Sequence, residues 1–356
     1  MYGVIMAGGS GTRFWPRSRY QKSKQFLKIF GKKPLITQTI DRIEKIIPHN
    51  QIFIISRQDQ QEQLDAICKK IPRENKIYEP MGKNTAPCIG LAATLIDHQN
   101  PDAVMVVTPA DHLVIDTDKF KKVLSRGISV AREHEGLVTL GIKPDQPATG
   151  YGYIQIDKEL ESNKKIKAYS VKTFAEKPDL ATAKRFLKCG DFYWNSGIFI
   201  FKVKTLLKAF EEFLPEIYEG LQEIRKYIGT KKYDDSLKNV YKQIRSISID
   251  YGIMEKATNV FLVEGDFGWS DLGSWDQVYR LSDKDSNGNV KQGDVVTHQT
   301  SNSYIHSSDG VVAVLGLDDV IVVRSEDAVL VAKRDRSEDV KKLVDLMKQK
   351  RFKKYV

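Results

Sequence analysis

The chain has 356 residues and a formal net charge of +10. That length suits two domains, or one large domain with an appendage, and allows a real buried core. Hydrophobic residues make up 41% and charged residues 29%, the balance of a soluble globular protein, and no apolar run nears the roughly 20 residues of a membrane span. The start, Met1-Tyr2-Gly3-Val4-Ile5-Met6, has no basic segment, so no signal peptide is expected and the chain reads as cytoplasmic. The positive charge calls for an anionic partner. Pairs such as Lys69–Lys70, Lys121–Lys122 and Lys164–Lys165 read mostly as solvated faces, and no zinc finger or RNP-like motif is present, so nucleic acid is not expected. Cys68, Cys88 and Cys189 form no Cys-x-x-Cys pair and the histidines no His-Glu-x-x-His, which argues against disulfides and zinc.

In chain order, residues 2–7 read as a buried strand that runs into a glycine loop. Ile36, Ile40, Ile43 and Ile47 share one helical face. Residues 51–56 are a strand, 58–70 a polar helix, 85–98 an apolar helix, 103–108 a buried strand and 137–141 another. This alternation predicts an α/β fold, a Rossmann-like domain with a mixed, mainly parallel sheet. Ligands of such sheets sit beyond the carboxyl ends of the strands. Strands at 151–156 and 196–201 and a helix at 203–213 follow. From about Asn289, β-branched runs at Val295–Val296, Val311 to Leu315, Val320 to Val323 and Val329 to Val331 predict a small C-terminal β-rich domain. A helix at 337–350 closes the chain. The expected division is 1–285 and 286–356.

The sharpest local signal is Gly8-Gly9-Ser10-Gly11-Thr12-Arg13, directly after the first strand. Without a Cβ, glycines let backbone N–H groups approach a phosphate, and an arginine adds a fixed forked cation. The spacing fits neither a dinucleotide fingerprint, since Phe14 stands where a third glycine is required, nor a Walker A loop, which needs Gly-Lys-Ser/Thr. Lys24 follows at a distance from which it can reach the outer phosphates of a triphosphate. Asp111 follows a buried strand, and Asp271 lies in a Gly- and Trp-rich loop. Each alone reads as a turn or capping aspartate; two distant carboxylates can also converge on Mg²⁺, which takes one or two carboxylates plus phosphate oxygens.

The run from Gly8 through Phe14-Trp15-Pro16-Arg17 to Lys24-Gln25-Phe26-Leu27 resembles the signature of nucleotide-sugar pyrophosphorylases, most of all the mannose-1-phosphate guanylyltransferases. Further matches occur in order: Glu79-Pro80 with Asn84-Thr85-Ala86-Pro87, Pro109-Ala110-Asp111-His112, Gly150-Tyr151-Gly152, Glu176-Lys177-Pro178, Trp194-Asn195-Ser196-Gly197 and Gly268-Trp269-Ser270-Asp271-Leu272-Gly273. The resemblance runs from residue 2 to about 350. One departure is Ser23, where the family often has a proline before the lysine.

The resemblance implies transfer of GMP from GTP to mannose 1-phosphate with Mg²⁺, releasing pyrophosphate. The alternative is another pair, such as glucose 1-phosphate with dTTP or UTP. It implies catalytic roles for Arg13, Lys24, Asp111 and Asp271, with Asp111 and Asp271 on the metal. Ala7, Gly8, Gly9, Ser10, Gly11, Thr12, Asn84 and Thr85 would hold the nucleotide, and Gly150, Tyr151, Glu176, Lys177 and Asn195 the sugar phosphate. Pro178 reads as the first turn of a helix at 179–187. The resemblance implies a left-handed β-helix-like appendage that supports a homodimer and takes no part in the chemistry. The chain ends before the phosphomannose isomerase domain of longer bifunctional relatives, so the transferase activity alone is expected.

Overall fold

The computed structural model describes residues 1–9, 11–161 and 163–356, arranged as two compact units. The first unit comprises Met1–Gly8, Thr39–Ala110 and Val114–Trp269. The second comprises Gly9–Gln38, Asp111–Leu113 and Ser270–Val356.

In chain order, the strands through Trp269 and Ser270 are β1 (Tyr2–Met6), β2 (Ile52–Arg57), β3 (Lys76–Glu79), β4 (Val104–Pro109), the two-residue β5 (Leu113–Val114), β6 (Leu137–Ile142), β7 (Tyr153–Glu159), β8 (Ala168–Ala175), β9 (Phe192–Lys202), β10 (Val260–Gly265) and the two-residue β11 (Trp269–Ser270). Nine of them form the sheet of the first unit, in the order β3-β2-β1-β4-β9-β6-β10-β8-β7. Pairing is parallel from β3 through β4 and between β6 and β10, and antiparallel where β9 and β8 enter. The sheet is thus mixed, as expected, but not mainly parallel: among the described residues four strand pairings are parallel and five antiparallel, because β9 enters between β4 and β6 and also pairs with β7. β1 and β4 are buried on both faces, which explains why they read as continuous apolar runs. Their register pairs Met6 with Pro109, so both carboxyl ends finish together, and Ala110 N donates to Met6 O at 2.9 Å.

The apolar helix runs Thr85–Gln99 and is buried on nearly every side, packing with helices Val203–Phe213 and Pro215–Arg225. The helix expected at 58–70 is shorter: a 3₁₀ turn, Gln58–Gln60, precedes a helix of only Gln61–Ile67. Its polar sequence supplies one buried anchor in the α-helical part, Leu64.

The second unit contains β12 (Val290–Gln292), β13 (Val295–His298), β14 (Tyr304–Ser307), β15 (Val312–Leu315), β16 (Val320–Ser325) and β17 (Ala328–Lys333). The chain alternates between two sheets: β12, β14 and β16 pair in parallel in one, and β13 and β15 pair in parallel in the other. A chain that visits each sheet once per turn with parallel neighbours is a β-helix; β17 closes it with an antiparallel pairing to β16. A 3₁₀ segment, Arg334–Asp339, leads into helix Val340–Gln349. One hydrophobic core joins Phe14, Trp15, Leu27, Ile29 and Leu35 to Trp275, Tyr304, Ile321, Val323, Val340 and Val344. The glycine loop is therefore built into the same core as the C-terminal strands. Among the described residues, no helix is long and apolar enough to cross a membrane.

Candidate functional site

In the second unit, Gly11 has φ 63° and ψ 30° and opens the 3₁₀ turn Thr12–Phe14. A Cβ at Gly11 would lie 2.2 Å from Lys24 Cβ, so glycine is required by both backbone conformation and space. Ser18 Oγ donates to Gly11 O at 2.6 Å and Phe14 N to the same oxygen at 3.0 Å, which fixes the loop.

Lys24 is not a solvated lysine. It is 5% exposed, and its Nζ donates to Asp111 Oδ2 at 2.8 Å and to Asp271 O at 2.6 Å. Its ammonium also lies 5.6 Å from the centre of the Phe14 ring, whose edge meets Trp275. Burial disfavours the Asp111 carboxylate, yet Lys24 and His112 outweigh it and hold its pKa below the ordinary value. Asp271 sits in a loop where Leu272 is fully buried with φ 46°. Leu272 N donates to Ser270 Oγ, and Ser274 caps helix Trp275–Leu281 through Gln277 N. The loop is pinned on both sides of the aspartate.

Arg13, Lys24, Asp111 and Asp271 line one cavity of about 320 Å³, together with Gly11, Thr12, His112, Gly273 and Lys341. Lys341 comes from helix Val340–Gln349, so the C-terminal region, expected to take no part in the chemistry, contributes a residue to the cavity lining. Nothing in its sequence marks it, since it is one lysine among several on an exposed face. Three cations, Arg13, Lys24 and Lys341, line the cavity with two carboxylates, and this excess of positive charge suits a polyanion. Asp111 and Asp271 are hard oxygen donors lining one cavity; two carboxylates plus substrate oxygens is the donor set Mg²⁺ takes. The only group of three or more potential metal ligands among the described residues is elsewhere, at Glu133, His134 and Glu161 in the first unit.

Of the expected nucleotide residues, Gly9, Gly11 and Thr12 belong to the second unit, and Ser10 lies outside the described residues. Ala7, Gly8, Asn84 and Thr85 belong to the first. Ala7 N donates to Ile55 O at 2.7 Å. Asn84, at φ 70°, caps helix Thr85–Gln99 by accepting from Thr85 N. Thr85 Oγ1 accepts from Ile249 N at 2.8 Å.

The first unit also gathers expected sugar-phosphate residues. Tyr151 meets Trp194 and Trp269 edge-on, at 4.9 and 5.3 Å between ring centres. Gly150 stands exposed with open space around it. Glu176 Oε1 accepts from Lys177 Nζ, while its Oε2 is buried without a hydrogen-bond partner among the described residues. Burial opposes the Lys177 charge, but Glu176 outweighs it and raises the lysine's pKa. Pro178 does not start the next helix: the helix is Leu180–Cys189, Asp179 caps it by accepting from Thr182 N, and Pro178 lies outside. Lys177 instead occupies the left-handed region at φ 49°, a strained conformation of the sort concentrated at functional sites. Asn195 is engaged at both ends of its amide, with Thr139 and Asp250 as partners. Neither partner is marked by a motif in the sequence.

A family model described as nucleotidyl transferase matches residues 2–288, and one described as a MannoseP isomerase/GMP-like beta-helix domain matches residues 293–347. The sheet, the glycine loop and these matches define a nucleotidyl transferase carrying a β-helix. The chain is 38% identical over 99% of its length to a mannose-1-phosphate guanylyltransferase of Escherichia coli, covering 77% of that protein. It is also 38% identical over 99% of its length to one of Klebsiella pneumoniae, covering 75%. A crystal structure from Thermus thermophilus, described as a mannose-1-phosphate geranyltransferase, superposes with a TM-score of 0.88 at 33% identity, covering 98% of this chain and 99% of that one. The chain belongs to the mannose-1-phosphate guanylyltransferase family of nucleotidyl transferases.

Proposed function

We propose that the protein transfers GMP from GTP to α-D-mannose 1-phosphate, giving GDP-mannose and pyrophosphate. The observation that carries this reading is near-full-length similarity to mannose-1-phosphate guanylyltransferases. A phosphate oxygen of the sugar phosphate attacks the α-phosphorus of GTP in line, and the bond to pyrophosphate breaks. The nucleophile is already an anion at neutral pH, so no side chain need remove a proton. The barrier is electrostatic: unit charges about 4 Å apart repel by about 4 kcal/mol at an effective dielectric of about 20. Arg13, Lys24 and Lys341 offset the phosphate charge, and backbone N–H groups of the glycine loop approach the phosphates closely. Asp111 and Asp271 would hold Mg²⁺, which when bound polarises phosphate oxygens and neutralises developing charge. Lys177 takes the phosphate of the sugar; Glu176, Asn195, Gly150 and Tyr151 take its ring.

The reading includes a catalytic region at 1–285, a β-rich appendage at 286–356 and a cytoplasmic homodimer. Exposed Val296, Val311, Leu315, Val329 and Val331 on and beside the appendage's strands are apolar surface that self-association would cover. A panel of nucleoside triphosphates against sugar 1-phosphates, read by pyrophosphate release, tests the substrates. Higher kcat/KM with glucose 1-phosphate and dTTP or UTP overturns the assignment.

A further inference from the structure

The first unit holds an acidic group that the transfer scheme does not use. Asp250 opens a π-helical turn, Asp250–Met254. Such turns re-aim side chains and gather at functional sites. Thr85 pins this one to the start of helix Thr85–Gln99 by accepting from Ile249 N. Asp250 Oδ1 accepts from Asn195 Nδ2 at 2.8 Å. At the other end of that amide, Asn195 Oδ1 accepts from Thr139 Oγ1 and from Gly197 N, each at 3.1 Å. The amide therefore has one orientation: oxygen toward two donors, nitrogen toward a carboxylate.

Glu176 is the second acid in this cluster. Burial and the Glu176 charge push Asp250 up to about 6, against its own backbone N–H, Asn195 and Lys177. Glu176 Oε2 has no hydrogen-bond partner among the described residues, and Gly152 makes room for it, since a Cβ there would lie 2.3 Å away. Adjoining carboxylates with little solvation are costly unless hydroxyl or N–H donors satisfy them. They repel a phosphate, so the cluster is polar in a directed sense: Lys177 suits the phosphate end of a sugar phosphate, and the two acids suit its hydroxyl end.

We propose that Asp250 is a specificity-determining residue for the sugar half of the substrate: with Glu176 it offers carboxylate oxygens to hexose hydroxyls, and it locks Asn195 so that the second N–H of the amide serves the same ring. This rests on the reading of the first-unit cluster as the sugar-phosphate site.

The test uses the full chain, GTP, mannose 1-phosphate and its monodeoxy analogues, read by pyrophosphate release. Asp250→Asn is expected to leave KM for GTP within about twofold and to raise KM for the sugar phosphate roughly tenfold or more. At least one deoxy substitution that costs the native protein about tenfold in kcat/KM should cost the variant less than about twofold, the signature of a contact already lost. Asp250→Ser carries the same expectation if the asparagine variant does not fold. The native protein is assayed first. Failure to turn over any sugar 1-phosphate overturns the reading on which the proposal rests. Normal turnover, with both variants keeping native KM and native discrimination among the deoxy analogues, overturns the proposal alone.

Discussion

At the scale of single residues, Lys24 decides how the cavity is arranged. Its ammonium holds a carboxylate, Asp111, and a loop carbonyl, that of Asp271, within one hydrogen-bond shell. Asp111 and Asp271 line the cavity from positions distant in the sequence. Changing either to Asn preserves shape and removes a charge and a hard ligand. The rate should fall roughly a hundredfold or more, on the scale of one lost transition-state contact. The double variant should be far less than additive if both serve one ion. Steady-state kinetics across a magnesium titration checks this; near-native turnover in either single variant at low magnesium refutes a shared ion. Gly11→Ala tests the loop itself. The new methyl meets Lys24 Cβ, so the lysine must move, and both the melting temperature and kcat/KM for GTP should drop. An unchanged melting temperature and unchanged kinetics would show that the loop can open without cost.

At the scale of elements, the loop carrying Asp271 depends on the helix after it. Ser274 is buried and caps helix Trp275–Leu281, so Ser274→Ala should cost about 1 kcal/mol in urea unfolding and lower kcat by loosening Asp271. A variant with native unfolding midpoint would show that the cap is dispensable. Most elements of this kind were legible in the sequence because burial writes periodicity. The helix read at 203–213 runs Val203–Phe213, and the apolar stretch at 103–108 is β4 shifted by one residue. Arg13, Lys24, Asp111 and Asp271 could be grouped because each stands in a motif, and they do line one cavity. Lys341 and Asp250 were illegible for opposite reasons. Lys341 looks like any solvated lysine, and its role depends on which face of its helix meets the cavity. Asp250 meets the Asn195 amide and the Glu176 charge, neighbours that only the fold assembles. Pro178 misled because proline fits a first helical turn, whereas here Asp179 makes the cap.

At the scale of the whole molecule, acid should weaken the protein through His306. Burial, then the nearby Arg17 charge, pushes this histidine down to about 4. The folded protein keeps it neutral, while the unfolded chain takes up a proton near pH 6.5. Its contribution is therefore fully present above about pH 6.5 and lost as pH falls toward about 4. His306→Gln should flatten the stability-versus-pH curve in that window, measured by urea midpoints; an unchanged slope would remove His306 as its source. Deleting 286–356 removes Val290, Tyr304, Ile321, Val323, Val340 and Val344 from the core that includes Phe14 and Trp15. The truncated chain should lose GTP binding and melt at a lower temperature, measured by equilibrium dialysis and calorimetry. Retained binding would separate loop from core.

The core of the second unit also sets an order of events during synthesis. Phe14, Trp15, Leu27, Ile29 and Leu35 leave the ribosome early, but apart from Leu113 the buried partners they pack with lie beyond Ser270. Trp15 Nε1 donates to the carbonyl of Tyr355, 340 positions away. At about 5–20 residues per second, these aromatic and aliphatic side chains wait roughly 15–60 seconds for a core. Such distant closure slows folding and leaves sticky surface open while it lasts. A ribosome that stalls midway therefore releases a chain whose glycine loop is unformed and whose cavity of Arg13, Lys24, Asp111 and Asp271 is not yet assembled, while its apolar side chains remain free to aggregate.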